Sequence, residues 1–304
     1  MRLRQNPKIP EGINASPDNP LKEFLLLLAG ITLSVIALVT LISLLAQSLA
    51  PLIPFSWEQR LTGLYEGSYG DSNTETKDKS SEQSPPKDKL PDSPAFINAE
   101  LALQELSARL SNNIDRPENM VFNVHLIEQP LPNAFATLGG HIFVTTGLLR
   151  KVGSENALAM VLAHEMAHIK HRHPIQAISR GALVQFLMTL VLGNQGTAAI
   201  QSVLGQTGLL TLLSFNRDME READQEAMAV LVNNYGHLAG ADEFFSQLLE
   251  QGNQAAWTAI FQTHPGVESR VVEIRKRAKD YATQRIAPVP LDQRLISYLQ
   301  PSAE

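Results

Sequence analysis

His164, Glu165 and His168 stand in the stretch Ala-Met-Val-Leu-Ala-His-Glu-Met-Ala-His-Ile-Lys, an H-E-x-x-H pattern in apolar surroundings. On a helix, residues four apart lie roughly 40° apart around the axis and about one turn along it, so both imidazoles reach one metal ion. The glutamate beside them is placed to take a proton from a water that the metal activates and to return it to a departing amine. Ala157, Leu158, Met160, Val161, Leu162 and Ile169 cover most of the helix circumference, which puts the motif indoors. Two buried imidazoles and a buried carboxylate need partners, and one cation supplies them all.

A zinc ion needs a further protein ligand. His171 and His173 follow the motif with no intervening glycine to bend the chain back, and the helix is expected to stop before Pro174. His171 lies roughly 10 Å along the axis from His164, too far to share an ion, so His171 and His173 read as helix-end residues facing polar groups or solvent. The segment from Asn216 to Met228 offers Glu220, Glu222 and Glu226 instead. Met219, Ala223, Ala227, Val230 and Leu231 mark its apolar face. Glu220 and Asp224 fall within that face, whereas Glu222 and Glu226 read as a solvated one. Glu220 is therefore the expected third ligand of one Zn2+ per chain, with Asp224 placed to accept a hydrogen bond from the second ring nitrogen of a ligand histidine.

H-E-M-A-H followed by Arg217-Asp-Met-Glu220-Arg-Glu-Ala-Asp224 resembles the HtpX-like and CAAX-prenyl-endopeptidase-like zinc peptidases, which are gluzincins. The stretch Asn133 to Leu149 is similar to that family's strand pair ahead of the motif helix, and Thr263-His264-Pro265 with Arg270 to its C-terminal signature. Together these span roughly Ala95 to Ala278. The resemblance implies an α+β, mostly helical domain with a small sheet, zinc on His164, His168 and Glu220, and Glu165 as general base.

The elements that must position these residues can be traced. A helix is expected over Ala95 to Asn112, a strand over Val121 to Ile127, and a strand pair, Ala134 to Thr137 and His141 to Thr145, joined at Gly139-Gly140. Such a hairpin leaves an edge on which an extended peptide can pair, making Asn133, Gly140 and His141 candidate substrate contacts. Arg217 and Arg270 either polarise the scissile carbonyl or pair with the ligand carboxylates. His264, ahead of a proline in a loop, keeps three roles open: an oxyanion donor, a plug in the fourth zinc position, or a structural loop histidine.

Phe24 to Leu49 holds no charged residue and is long enough to cross a bilayer. An uncleaved anchor over residues 23–50 is favoured over a signal peptide, because the apolar run is long and Pro51 makes a poor cleavage context. Arg2, Arg4, Lys8 and Lys22 precede it and only Arg60 follows closely, so the 1–22 segment is expected in the cytoplasm and the domain outside, in the periplasm of a Gram-negative inner membrane. Residues 51–94 read as a short amphipathic connector, built on Phe55, Trp57, Leu61 and Leu64, and then a polar tether; 95–304 read as the peptidase. A second apolar tract, 181–213, is broken by Gly193 and Gly196 and reads as a helical hairpin packed on the domain or resting on the membrane. The absence of cysteine is compatible with an oxidising compartment, and a net charge of −6 with scattered cations argues against nucleic acid.

The sequence thus points to a membrane-anchored zinc endopeptidase, and the family resemblance implies action on unfolded or misfolded proteins in quality control. The alternative is a latent or non-catalytic chaperone-like domain, for which an intact Glu165 would be superfluous.

Overall fold

The computed structural model describes residues 20–60, 62, 93–179, 215–251, 264–281 and 286–300. The tract at 181–213 and the tether at 67–92 lie outside them. The chain divides into two compact units, Met1–Leu44 and Leu45–Glu304. Helix α1, Pro20–Leu49, is uncapped by charge beyond Lys22 and Glu23, and its stretch Leu21–Ile42 is the one described helix long and apolar enough to cross a membrane. A short helical segment, α2, follows at 55–60.

In the second unit, side-chain caps start the helices that frame the site. Helix α3, Pro94–Ser111, has Pro94 in its first turn and Ser93 accepting from the Phe96 N–H. Ser154 caps α5, Glu155–Lys170, by accepting from the Ala157 N–H. Asn216 caps α6, Arg217–Tyr235, by accepting from Asp218 and Met219, and Gly236 ends it at φ 78. Helices α7, Glu243–Gln251, α8, Val267–Ala278, and α9, Gln293–Leu299, complete the described helical layer, with the single turn α4 at Thr146–Leu149.

Three short strands make one mixed sheet in the order β1-β3-β2. Strands β1, Asn123–Ile127, and β3, His141–Thr145, run parallel, with Asn123 opposite His141. Strand β2, Ala134–Ala136, is antiparallel to β3, and the turn between them places Gly139 at φ 73 and Gly140 at φ 89. A Cβ on Gly140 would stand 2.0 Å from the Val121 carbonyl oxygen, so only glycine fits. β1 begins two residues later than expected because its pairing with β3 starts at Asn123, which leaves Val121 beneath the Gly140 turn.

Helix α5 lies at the centre of the core. Every residue from Asn156 to Ile169 is buried, between α3 and the sheet on one side and α6 on the other. Ala157, Ala159, Ala163 and Ala167 keep its girth small, so its neighbours approach closely and hold the motif histidines rigidly.

Candidate metal centre

Two helices and one loop bring four side chains to a point. His164 and His168 project from α5, Glu220 from the first turn of α6, and His264 from the loop before α8; all four are buried. Nε2 of His164 and Nε2 of His168 stand 3.0 Å apart. Glu220 lies 3.5 Å from the first and 3.4 Å from the second. His264 Nδ1 is 3.3 Å from His164 Nε2 and 3.1 Å from Glu220 Oε1.

The donor set fits zinc. Ligand atoms around a tetrahedral ion at ~2.0–2.1 Å lie about 3.4 Å from one another, which is close to the separations seen here. Proton counting agrees. His164 Nδ1 lies 2.9 Å from Asp224 Oδ1, and His168 Nδ1 lies 2.8 Å from His173 Nδ1. With each ligand histidine donating from Nδ1, both Nε2 atoms present lone pairs to one another and to a carboxylate, an arrangement that a cation resolves.

Around this centre sits a set of supports. Arg270, 3 % exposed, pairs with Glu220 and holds Asp224 Oδ1 through Nε at 2.6 Å. Burial works against its charge, but Asp224 and Glu220 outweigh that and raise its pKa. Burial would likewise raise Glu220, yet the facing His264, His164 and His168 hold it below the usual carboxylate range. Burial also opposes a proton on His164, as does Arg270, and hydrogen bonds to Asp224 and Glu220 override both to bring it to about 9. His168 is lowered, by burial first and then by His164. Glu165 is raised by burial against the pull of His264 and His164.

Glu165 is held at one oxygen and faces a histidine with the other. Oε2 accepts from the Ala136 N–H of β2 at 2.9 Å, and Oε1 lies 3.6 Å from His264 Nε2. A narrow pocket opens beside it, lined by Asn133, Ala134, Val161, Phe244 and Phe245 as well as the centre itself. Asn133 is buried, and its Oδ1 has no hydrogen-bond partner among the described residues.

Other expected residues fall elsewhere. His141 stacks against His125, with Nδ1 2.9 Å from His125 Nε2, and does not line the pocket. Gly140 serves the turn. Arg217 is exposed at the start of α6. Glu222 and Glu226 are not simply solvated: Glu226 pairs with Lys170 at 2.7 Å, and Glu222 reaches His171 at 3.1 Å and His173 at 3.3 Å. His173, expected at a helix end facing polar groups or solvent, is 2 % exposed because the turn after α5 folds it back against His168. Its spacing past the motif was the only signal for it, and Phe244 and Phe245 gave none beyond apolarity.

Such a centre, with H-E-x-x-H on one helix and a glutamate from a second, defines a gluzincin-type zinc metallopeptidase. The model of peptidase family M48 matches residues 98–278, more than half of the chain, and the protein belongs to that family. Among curated proteins it is similar to the beta-barrel assembly-enhancing protease of Escherichia coli K12, 31% identical over 179 residues, which are 55% of this chain and 36% of that protein. It is also similar to a putative beta-barrel assembly-enhancing protease of Vibrio cholerae, 28% identical over 189 residues, 59% of this chain and 38% of that one. The mitochondrial metalloendopeptidase OMA1 of Schizosaccharomyces pombe is 30% identical over 160 residues, 52% of this chain and 47% of that protein. The chain thus spans less than half the length of these relatives.

Proposed function

We propose that this metallopeptidase is an endopeptidase of membrane-adjacent proteins, with its site closed at rest by His264. The observation that carries this reading is that His264 Nδ1 stands with His164, His168 and Glu220 as a fourth donor, all four ligand atoms lying within 4.8 Å of one another. Catalytic zinc sites keep a position open for water or substrate, whereas closed four-ligand sites are inert. Bound zinc would supply Lewis-acid polarisation of the peptide carbonyl and activation of water.

The chain's own residues do the rest. His164, His168 and Glu220 hold the ion, and Asp224 fixes the His164 ring. Glu165, buried beside the centre with its pKa raised, is the general base that takes the proton and passes it to the amine. Edge strand β2 offers its backbone to an extended substrate, with Asn133 and Ala134 beside the pocket. His264 must leave the fourth position for that to occur, and Pro265 and Gly266 follow it in a loop suited to such a swing.

In this reading the α1 helix is the anchor, and the cations before it support a cytoplasmic N-terminus and a peptidase on the periplasmic side of a bacterial inner membrane. Unfolded or misfolded envelope proteins are the substrate class; similarity to a beta-barrel assembly-enhancing protease supports a quality-control setting. The test compares the full chain with Glu165→Gln and His264→Ala for zinc content and casein cleavage. Zinc in all three, cleavage lost in Glu165→Gln and raised in His264→Ala, is the expected result. Zinc in all three without cleavage by any would leave a chaperone-like domain.

A further inference from the structure

The segment that follows the apolar helix in sequence is built into the peptidase unit. Phe55 and Glu58 are buried there, while Trp57 faces outward. Arg172 Nη2 meets Glu58 Oε1 at 2.8 Å and the Ile53 carbonyl at 2.6 Å, with its guanidinium 5.5 Å over the Phe55 ring. The Gly139 N–H donates to Glu58 Oε2 at 3.3 Å. One buried carboxylate therefore ties together two turns that are far apart in the chain.

Both turns carry part of the site. Three residues before Gly139, the Ala136 N–H holds Glu165. One residue after Arg172, His173 meets the second ring nitrogen of His168. Arg172 sits at φ 61, a left-handed conformation unfavourable for a side-chain-bearing residue, so its surroundings must enforce it. The fit against the other turn is equally close: a Cβ on Gly139 would stand 2.6 Å from Thr62 Oγ1. A buried ion pair is a poor source of stability compared with apolar packing. Its use here is to set geometry.

Building on the peptidase reading above, we propose that Glu58 is a positioning residue for the zinc site, clamping the β2–β3 turn and the turn after α5 through Gly139 and Arg172. Residues 53–62 lie outside the family-matched stretch 98–278, so the catalytic unit begins well before α3. A peptidase cut off at residue 95 would lack the clamp.

The test uses the full chain in detergent with Glu58→Gln, Arg172→Gln and the double variant. Hydrogen exchange in peptides covering 134–145 and 168–173 is expected to rise at least about fivefold in each single variant, while α3 and α9 keep the parent rates. The double variant should be no worse than the singles, because both break one device. On a fluorogenic peptide, kcat should fall about tenfold or more with KM within about twofold, well below the melting temperature. Unchanged exchange at both turns, a rise spread evenly through α3, or additive singles would overturn the proposal. If Glu58→Gln does not fold, Arg172→Lys, which keeps a cation but loses the fork, carries the same measurements. Absence of cleavage by both the parent and His264→Ala would remove the peptidase reading, and the exchange data would still decide the clamp.

Discussion

His168 turns its Nδ1 onto Nδ1 of His173 at 2.8 Å, so the outer support of one ligand histidine is itself a histidine. His164 has a carboxylate in the same place, Asp224 at 2.9 Å. The two supports differ by one step: His173 accepts from His168 and presents its Nε2 to Glu222 Oε2 at 3.3 Å, so a carboxylate stands at the end of each line. Outer partners of this kind typically contribute 10–100-fold to metal affinity.

His173→Ala should therefore weaken zinc binding by about 10–100-fold, with Glu222→Gln smaller because Glu222 is half exposed and screened. Competition against a fluorescent chelator measures both. Equal zinc affinity in parent and His173→Ala would remove the relay.

Arg270 answers two carboxylates, the buried Glu220 and the part-buried Asp224, and nothing else described pairs with Glu220 as a permanent cation. Arg270→Met should destabilise the fold by about 3–5 kcal/mol, as breaking a buried pair from one side does. Thermal unfolding of zinc-loaded protein reads this. Arg270→Lys should recover only part, because a point charge cannot span Glu220 and Asp224 as the fork does.

Asn133→Ala should leave stability close to that of the parent, since Asn133 Oδ1 has no described partner to lose. Its kcat/KM on a peptide substrate should fall about tenfold, the value of one buried hydrogen bond of ~1.4 kcal/mol. A drop in melting temperature with unchanged kcat/KM would make it a strand-end structural residue instead.

Removing zinc with a chelator should lower the melting temperature of the full chain, because the ion binds the folded protein alone. His264→Ala should show a smaller difference between loaded and stripped protein, having one donor fewer. Equal differences would place His264 outside the metal's reach in solution.

Much of the centre was legible in the sequence because motif spacing and helical periodicity are both local. The H-E-x-x-H spacing singled out His164 and His168, the apolar face of α6 singled out Glu220 and Asp224, and all four converge. The edges of α3 and β3 also came within a residue of their observed ends. Periodicity says nothing past the end of a helix, which is why His173 was read as a helix-end residue facing polar groups or solvent: its burial depends on a left-handed turn at Arg172. Strand alternation could not place His141 either, because the face of β3 it occupies is settled by which side α5 covers. Glu58 carried no local signal at all, since a lone acidic residue in an amphipathic stretch gains meaning only from the two turns it meets in space.

His164 and His264 stand one hundred residues apart in the chain, and Arg270 comes later still. During synthesis the H-E-x-x-H helix emerges from the ribosome with His173 close behind it, but long before Glu220, Asp224 and His264. The four-donor cluster cannot assemble until His264 has been made, so the last described donor-bearing loop acts as a clock for the whole centre.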